Sequence, residues 1–273
     1  MNKIFTIAIA ALIALCTTQA DAQHTTVATS LGIGRTRLLD TYLSPIQYSG
    51  PALTLQHERL RATHLMSNHV SFQSTTLIDM ASTSNIVDNA TQLSANIQYS
   101  ATWHYNWTPT PTWRIMAGPT LATTLGGIYN TRNGNNPAQA IANLHLGLSE
   151  ALILTFKIKG HTLHLRQQAD LPLIGAMFSP AYQQSYYEIF SLRHYDHNIC
   201  ATHPFNAPSI HHQLSLDIPI RRATIRTTYL AAIRQSHVNN IRHHAYTQAF
   251  TIGYVRHISI KHPKEASAKD FIM

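Results

Sequence analysis

The chain has 273 residues and a formal net charge of +8, yet only 12% of its residues are charged. Ordinary soluble domains carry about 25% charged residues, so this composition is typical of a protein whose outer surface faces lipid. The positive charge favours anionic partners, such as the phosphates of lipopolysaccharide. Without a basic cluster, the sequence gives no reason to expect nucleic acid as a partner.

Residues 1–22 predict a cleaved secretory signal peptide. Lys3 precedes an apolar run from 4 to 15, and Ala20-Asp21-Ala22 provides an A-x-A cleavage site. The run is about 12 residues long, too short for a helix that spans a bilayer. No later segment has 18 uninterrupted apolar residues, so a helical span is excluded, and residues 23–273 are expected to form one domain.

Ten segments show the period of two that predicts a β-strand. The clearest is 93–107, in which every odd position is apolar or small and every even position is polar. At about 3.3 Å per residue this strand is about 50 Å long, far beyond the usual soluble strand. The predicted strands lie at about 28–37, 51–65, 68–81, 93–107, 113–125, 144–158, 163–166, 213–220, 224–234 and 246–260.

Short turns and longer loops alternate strictly between these strands. The short turns fall near 66–68, 108–112, 159–161 and 221–222, and the longer loops at 38–50, 82–90, 126–137, 174–209 and 237–242. This alternation is typical of periplasmic turns and extracellular loops. The sequence therefore predicts an all-β, antiparallel transmembrane β-barrel of ten strands in the outer membrane of a Gram-negative bacterium. A further hairpin within 183–197 would give twelve strands.

A soluble lipocalin-like barrel or β-sandwich is the alternative fold, because alternation alone does not separate inside from outside. Strand length, aromatic residues near strand ends and charges on the polar face favour an apolar face turned outward. The predicted membrane-facing aromatic residues are Tyr99, Trp103, Tyr105, Trp107, Trp113 and Tyr254. The predicted lumen-facing polar residues are His104, Arg114, Lys157, His164, Arg166, Asp170, Asp217 and Arg226.

A barrel of ten strands has a narrow interior, usually filled by side chains. The inward charges are therefore expected to form a hydrogen-bonded plug, since unpaired buried charges are costly. A general-diffusion pore is disfavoured, because wide channels need about 16 strands. With twelve strands a narrow solute path becomes possible.

Two stretches of the chain carry a family resemblance. The first is Leu39-Asp40-Thr41-Tyr42-Leu43-Ser44-Pro45, followed by Tyr48-Ser49-Gly50-Pro51. The second begins at Asp170-Leu171-Pro172-Leu173 and continues through 178–182 and 185–190. Both resemble a Bacteroidota family of exported, barrel-like proteins of unknown function. The resemblance implies an architecture and an outer-membrane location, but no activity.

The long segment 174–209 is the expected place for loop or plug contacts. Loops beyond about 15 residues are usually functional or disordered, and the aromatic content of this one argues against disorder. The segment could constrict the lumen, cover the barrel or add a hairpin to its wall. The residues expected to make its contacts are Tyr182, Tyr186, Tyr187, Glu188 and Phe190.

An outer-membrane lipid-modifying hydrolase is the alternative function. His69-Val70-Ser71 has the spacing that lets an imidazole take the serine proton, because alternate strand residues share a face. However, Thr83 stands where a residue that orients the histidine is needed, and both side chains are expected to face the lumen rather than lipid. The chain has 18 histidines, and their groups, 211–212, 243–244 and 194–197, fall at loops or strand ends. Adjacent strand residues point to opposite faces, so the pairs make poor chelates.

The sequence thus favours a structural or binding role, or narrow solute passage, over catalysis. No metal or other cofactor is expected. The expected partners are outer-membrane lipid, lipopolysaccharide and the barrel-assembly machinery during insertion.

Overall fold

The computed structural model describes residues 24–87, 90–220 and 223–259. The predicted signal peptide and its cleavage site lie outside these residues. In the described part of the chain, no helix has the length and apolar character needed to cross a bilayer.

The described residues form eleven strands and one short helix, α1 (Tyr186–Phe190). The strands are β1 (His24–Asp40), β2 (Ser44–Ala62), β3 (Val70–Asn85), β4 (Ala90–Thr110), β5 (Trp113–Asn130), β6 (Ala138–Ile158), β7 (His161–Phe178), β8 (Ile199–Thr202), β9 (Ile210–Ile220), β10 (Ala223–Val238) and β11 (Ile241–Ser259).

Ten of these strands close into an antiparallel barrel. Each pairs with its neighbour in sequence, β7 pairs with β9, and β1 pairs with β11 to close the ring. Strand β8 has four residues and is not part of that ring. It extends the wall beside the end of β7, where Gly175 lies opposite Thr202. The predicted ten-stranded antiparallel barrel is confirmed.

The strands are strongly tilted. The tilt is measured by following paired residues from strand to strand around the ring. In one direction, this path leads from Ile33 through β2, β3, β4 and β5 to Ala140 on β6. In the other direction, the path from Ile33 leads through β11, β10, β9 and β7 to Leu152, which is also on β6. The offset from residue 140 to residue 152 implies a tilt of about 40°, within the usual range for closed barrels.

The two faces of the wall have opposite character. Large apolar side chains are exposed on the outside, among them Ile97 (45% exposed) and Leu146 (54%), while inward positions such as Gln56 and Gln98 are polar. A soluble lipocalin-like barrel would have the reverse pattern, with an apolar interior. That alternative is not favoured.

The strands are longer than the sequence pattern predicts, and the loops are shorter. The predicted loop 38–50 is mostly strand, because β1 runs to Asp40 and β2 begins at Ser44. The polar and small residues there weaken the alternation without breaking the ladder. The possible hairpin within 183–197 is not formed, since this region contains α1 and irregular chain. The one long connection between described strands is 179–198, which leads from β7 to β8.

We expect Leu146→Arg to destabilise the barrel in lipid vesicles by about 2–4 kcal/mol, because it places a charge near the middle of the outer face. Tyr129→Arg, near the loop end of β5, is the control and should cost about 0–1 kcal/mol. Denaturant unfolding in vesicles measures both. Equal costs would contradict the outward apolar belt.

Candidate functional site

A charged cluster crosses the lumen in the half of the barrel nearer the chain termini. Arg166 on β7 donates to Glu58 Oε1 on β2 at 2.6 Å, and Arg226 on β10 donates to the same oxygen at 3.2 Å. Arg226 also forms a bidentate pair with Asp217, at 2.6 and 2.7 Å. We call these four residues the central charge cluster. It links opposite sides of the wall and pairs two arginines with two carboxylates.

Glutamine side chains extend this connection between strands. Gln56 donates to Gln213 at 2.9 Å, and Gln73 contacts Gln168 at 3.3 Å. Gln213 also donates to Gln168 at 3.0 Å, so the amides form a chain from β2 and β3 to β7 and β9. Arg166 contacts Gln168 as well, which joins this chain to the central charge cluster. Together these side chains obstruct the lumen.

A histidine-containing network lies against the same obstruction. His104, fully buried, is 2.9 Å from Ser149 Oγ, and Gln168 donates to both Ser149 and Asp170. Asp170 in turn lies 3.5 Å from the imidazole of His211. The network is continuous but has no exposed nucleophile.

A second ion pair lies nearer the loop end of the lumen. Arg234 on β10 reaches Asp79 on β3, with Nη2 2.9 Å from Oδ1, and it also contacts Gln98. Asn96 donates to the same carboxylate at 3.0 Å. This pair therefore also joins opposite sides of the barrel.

A cavity of about 130 Å³ lies between these polar groups and the loops. Asp79, Arg234, Asp170 and His211 contribute polar lining, while Ile141 and Met177 contribute apolar surface. The buried Oδ1 atoms of Asn96 and Asn143 face no donor among the described residues, and both side chains line the cavity. The cavity could therefore accept hydrogen bonds from a small molecule.

An apolar cluster, which we call the roof, lies at the loop end of the barrel. Leu38, Leu43, Ile128 and Ala245 form a buried cluster, and Tyr42 packs against it. Leu43 lies in the β1–β2 turn, which therefore folds over the lumen. Asn133, from the β5–β6 loop, donates to the carbonyl of Leu43 at 3.3 Å and holds this turn from the opposite side.

Tyr42 fastens the long segment to this roof. Its hydroxyl donates to the carbonyl of Gln184 at 2.8 Å, and its ring meets Tyr186 edge-on at 5.9 Å. Burial, together with the nearby Tyr186 and Asp40, raises the pKa of Tyr42 to about 12. The hydroxyl therefore stays protonated and remains a donor throughout the physiological pH range.

The segment itself is ordered by polar contacts at the first turn of α1. Ser185 caps the helix: its hydroxyl accepts from the Glu188 N–H, and the Glu188 carboxylate accepts from the Ser185 N–H. The Tyr186 hydroxyl accepts from the Ala140 N–H at 2.6 Å and donates to Gln139 at 2.9 Å. Tyr182, Tyr187 and Phe190 are largely exposed. The segment thus lies over the barrel and does not fill the lumen.

The other predicted residues lie as follows. Arg114 donates to Asn106, and His164 pairs with Thr155 at 3.0 Å, both at the end of the lumen away from the loops. Lys157 is exposed near the end of β6, so it adds nothing to the plug.

Of the predicted membrane-facing aromatic residues, Trp103 is partly covered by Phe72, at 5.1 Å between ring centroids. The remaining five, Tyr99, Tyr105, Trp107, Trp113 and Tyr254, are exposed on the outside.

The His69–Ser71 pair is not assembled for catalysis. His69 precedes β3 and stacks on Tyr105, which is on the outer face, at 5.8 Å. Ser71 is buried and bonds to Asn106. The expectation that both face the lumen is wrong for His69, because the strand alternation begins only at Val70.

Several central residues were not predicted from the sequence. Glu58, Asp79 and Arg234 carry both cross-lumen ion pairs, and Gln56 and Gln168 carry the amide chain. The alternation along β2, in which Gln56 and Glu58 share a face, was the signal for the first pair. Which residues meet across the lumen depends on strand tilt, which the pattern does not give.

The family described as "Protein of unknown function (DUF3316)" matches residues 3–265. The chain belongs to this family. No curated protein matches it. The predicted membership of a family of unknown function is thereby confirmed. The match does not show that the family comes from Bacteroidota.

Solved structures similar to this chain are outer-membrane proteins. The outer-membrane protease OmpT of Escherichia coli is 7% identical, with a TM-score of 0.47, covering 89% of this chain and 99% of that one. The β domain of the Bordetella autotransporter BrkA is 9% identical, with a TM-score of 0.44 and coverage of 86% and 99%. An outer-membrane channel from Pseudomonas putida F1 is 8% identical, with a TM-score of 0.39 and coverage of 89% and 100%. These likenesses concern general architecture and carry no activity to this chain.

We expect Glu58→Gln to destabilise the folded barrel by about 3–5 kcal/mol, because it leaves two buried arginines short of a carboxylate. Glu150→Gln provides a matched control, since Glu150 is exposed on the outer face. Denaturant unfolding in detergent or vesicles measures both. A cost for Glu58→Gln no larger than for the control would contradict a structural role of the cluster.

Proposed function

We propose that this protein is an outer-membrane β-barrel that binds a small molecule on its loop side and does not conduct solutes. The observation that supports the proposal best is the obstruction of the lumen by the central charge cluster and the glutamine chain. Both connect opposite strands through side chains that are almost fully buried. Outward apolar residues and inward charges support placement in the membrane.

The orientation of the barrel in the membrane supports a binding site that opens on the loop side. The longest connection between described strands, 179–198, lies at the end of the barrel opposite the described chain ends at β1 and β11. Longer loops are extracellular in outer-membrane barrels, so we place that end outside the cell. The cavity lies on the other side of the obstruction, beneath the roof formed by the β1–β2 turn and the long segment. A molecule would therefore reach it from the cell exterior.

The lining indicates the chemistry of such a molecule. The two asparagine oxygens and the carboxylates of Asp79 and Asp170 are acceptors, whereas Arg234 is the one arginine that lines the cavity. A small compound rich in N–H or O–H donors would satisfy the unpaired acceptors, which are costly to leave without partners. Ile141 and Met177 would contact its apolar part.

Binding is favoured over hydrolysis because neither serine–histidine pair among the described residues forms an activated nucleophile. Ser71 is separated from His69, and Ser149, the serine that contacts His104, is buried in the polar network. A hydrolase requires a nucleophile and a base within reach of the substrate.

Planar-bilayer recordings test the closed lumen. The wild-type protein should give no current steps above background, because the cluster and the glutamine chain block the path. The variant Glu58→Ala/Arg166→Ala/Arg226→Ala/Gln168→Ala should produce steps, since it removes the charge cluster and the central amide of the glutamine chain. Arg59→Ala on the outer face should not. Regular current steps from the wild-type protein would refute the proposal.

Access to the cavity is tested by cysteine labelling on intact cells, in a Cys200→Ser background. Ser94→Cys, which lines the cavity, should react slowly with a small charged thiol reagent added outside, and several-fold faster when Tyr42→Ala releases the roof. Ser215→Cys, at the Arg166 carbonyl within the obstruction, should stay unlabelled. Labelling of Ser215→Cys at the rate of Ser94→Cys would contradict a cavity closed from below.

A further inference from the structure

An apolar groove runs along the outer face of the wall near the loop end. It has a volume of about 970 Å³ and crosses from β1 to β6. The exposed residues that form its floor are small, namely Ala95, Ala138 and Ala140, and Gly127 lies between them. Larger side chains stand beside this floor: Ile33, Leu53, Met80, Leu93 and Tyr129.

The floor follows from the register of the strands. Ala95 lies opposite Gly127, and Gly127 lies opposite Ala140, so two methyl side chains and a glycine adjoin across β4, β5 and β6. Tyr186 from α1 also lines the groove, and its hydroxyl bonds to the backbone of Ala140. The groove is therefore part of the folded wall and is bounded by the ordered segment.

Two arginines adjoin the other end of the groove. Arg35 on β1 lies directly opposite Pro51 and two residues from Ile33, and both of those residues line the groove. Arg37 is on the same outward face, opposite Ser49. Both arginines are exposed, and Arg35 donates to Ser49 Oγ at 3.2 Å.

These arginines have no carboxylate partner. Among the described residues, the ion pairs of the barrel use other cations, such as Arg166, Arg226 and Arg234. A charge on the lipid side of a membrane protein is costly unless it reaches the interface or an anion. Guanidinium groups match phosphate oxygens well, because they can donate two parallel hydrogen bonds.

We propose that the groove and the two arginines bind the lipid A part of lipopolysaccharide. An acyl chain lies on the floor of small residues, and a glucosamine phosphate accepts hydrogen bonds from Arg35 and Arg37. This inference rests on the proposed membrane placement, with the loop end facing outward, since lipopolysaccharide occupies the outer leaflet. It does not depend on whether the lumen conducts or what its cavity binds.

Charge favours this occupant over the other candidates for the same surface. A second copy of the chain related by a two-fold axis through the groove would bring like charges together at its edge. A zwitterionic phospholipid offers its phosphate together with an ammonium group, which the arginines repel. A lipid with exposed phosphates and several saturated chains satisfies both the cations and the apolar floor.

The test is native mass spectrometry of the detergent-solubilised protein with diphosphoryl lipid A, with lipid A lacking both phosphates, with phosphatidylethanolamine and with inorganic phosphate. Arg35→Gln/Arg37→Gln should weaken binding of diphosphoryl lipid A about 20-fold, because each interfacial arginine contributes about a factor of five. Arg59→Gln/Arg256→Gln removes the same charge from exposed outer positions near the opposite end of the wall and should change binding less than twofold.

The acyl-chain part of the site has its own pair of variants. Ala140→Leu fills the floor of the groove and should weaken binding of diphosphoryl lipid A several-fold, whereas Ala117→Leu, exposed on β5 away from the groove, should not. Loss of binding on dephosphorylation, matching the loss in Arg35→Gln/Arg37→Gln, supports the proposal.

Three results would overturn it. One is equal binding of phosphatidylethanolamine and diphosphoryl lipid A. Another is inorganic phosphate binding as tightly as the lipid, which would assign the arginines to a free anion. The third is a change in oligomeric state with Ala140→Leu at unchanged lipid binding, which would assign the groove to a second copy. Planar-bilayer current from the wild-type protein would refute the closed lumen but would leave this lipid site unaffected.

Discussion

The carboxylate of Glu58 is the constraint on which the interior depends. A closed barrel in lipid must turn its apolar residues outward, which leaves polar and charged side chains inside a narrow lumen. Two arginines from β7 and β10 enter that lumen, and they are compatible with burial because Glu58 and Asp217 neutralise them. The same pairing that makes the charges tolerable also joins opposite walls and obstructs the lumen. Structural stability and the closed lumen proposed above thus have one physical origin.

The two ends of the barrel contain different structural features. The central charge cluster occupies the half nearer the termini, while the loop end has a polar cavity and an apolar roof. The segments that carry the family resemblance, around Tyr42 and around Tyr186, meet at this roof through a hydroxyl–carbonyl bond and an edge-on ring contact. Residues far apart in sequence therefore build one structure, which covers the cavity and also bounds the outer groove.

The strands and their faces could be predicted from the sequence because alternation is a local property. The run 93–107 shows it: Gln98 and His104 face inward, while Ile97 and Tyr99 face outward. Strand ends were harder, because the polar residues near Asp40 and Ser44 continue the backbone ladder without an alternating pattern.

The residue pairs that meet across the lumen could not be predicted from the sequence, for a different reason. Glu58 meets Arg166 only because strand tilt and register set the two side chains opposite one another, and neither quantity is encoded in a single strand. The helix α1 is short and depends on its Ser185–Glu188 cap, so periodicity could not reveal it. Sequence alternation therefore predicts which way a side chain faces, and the closed wall determines what it meets.

The central claim is that odd and even positions of one strand lie in different solvents. Nitroxide labels at single cysteines replacing Ile97, Gln98 and Tyr99, in a Cys200→Ser background in lipid vesicles, measure this directly. Collisions with dissolved oxygen, which concentrates in hydrocarbon, should be frequent at positions 97 and 99 and rare at 98. Frequent collisions at 98 with rare ones at its neighbours, or no alternation, would contradict the account.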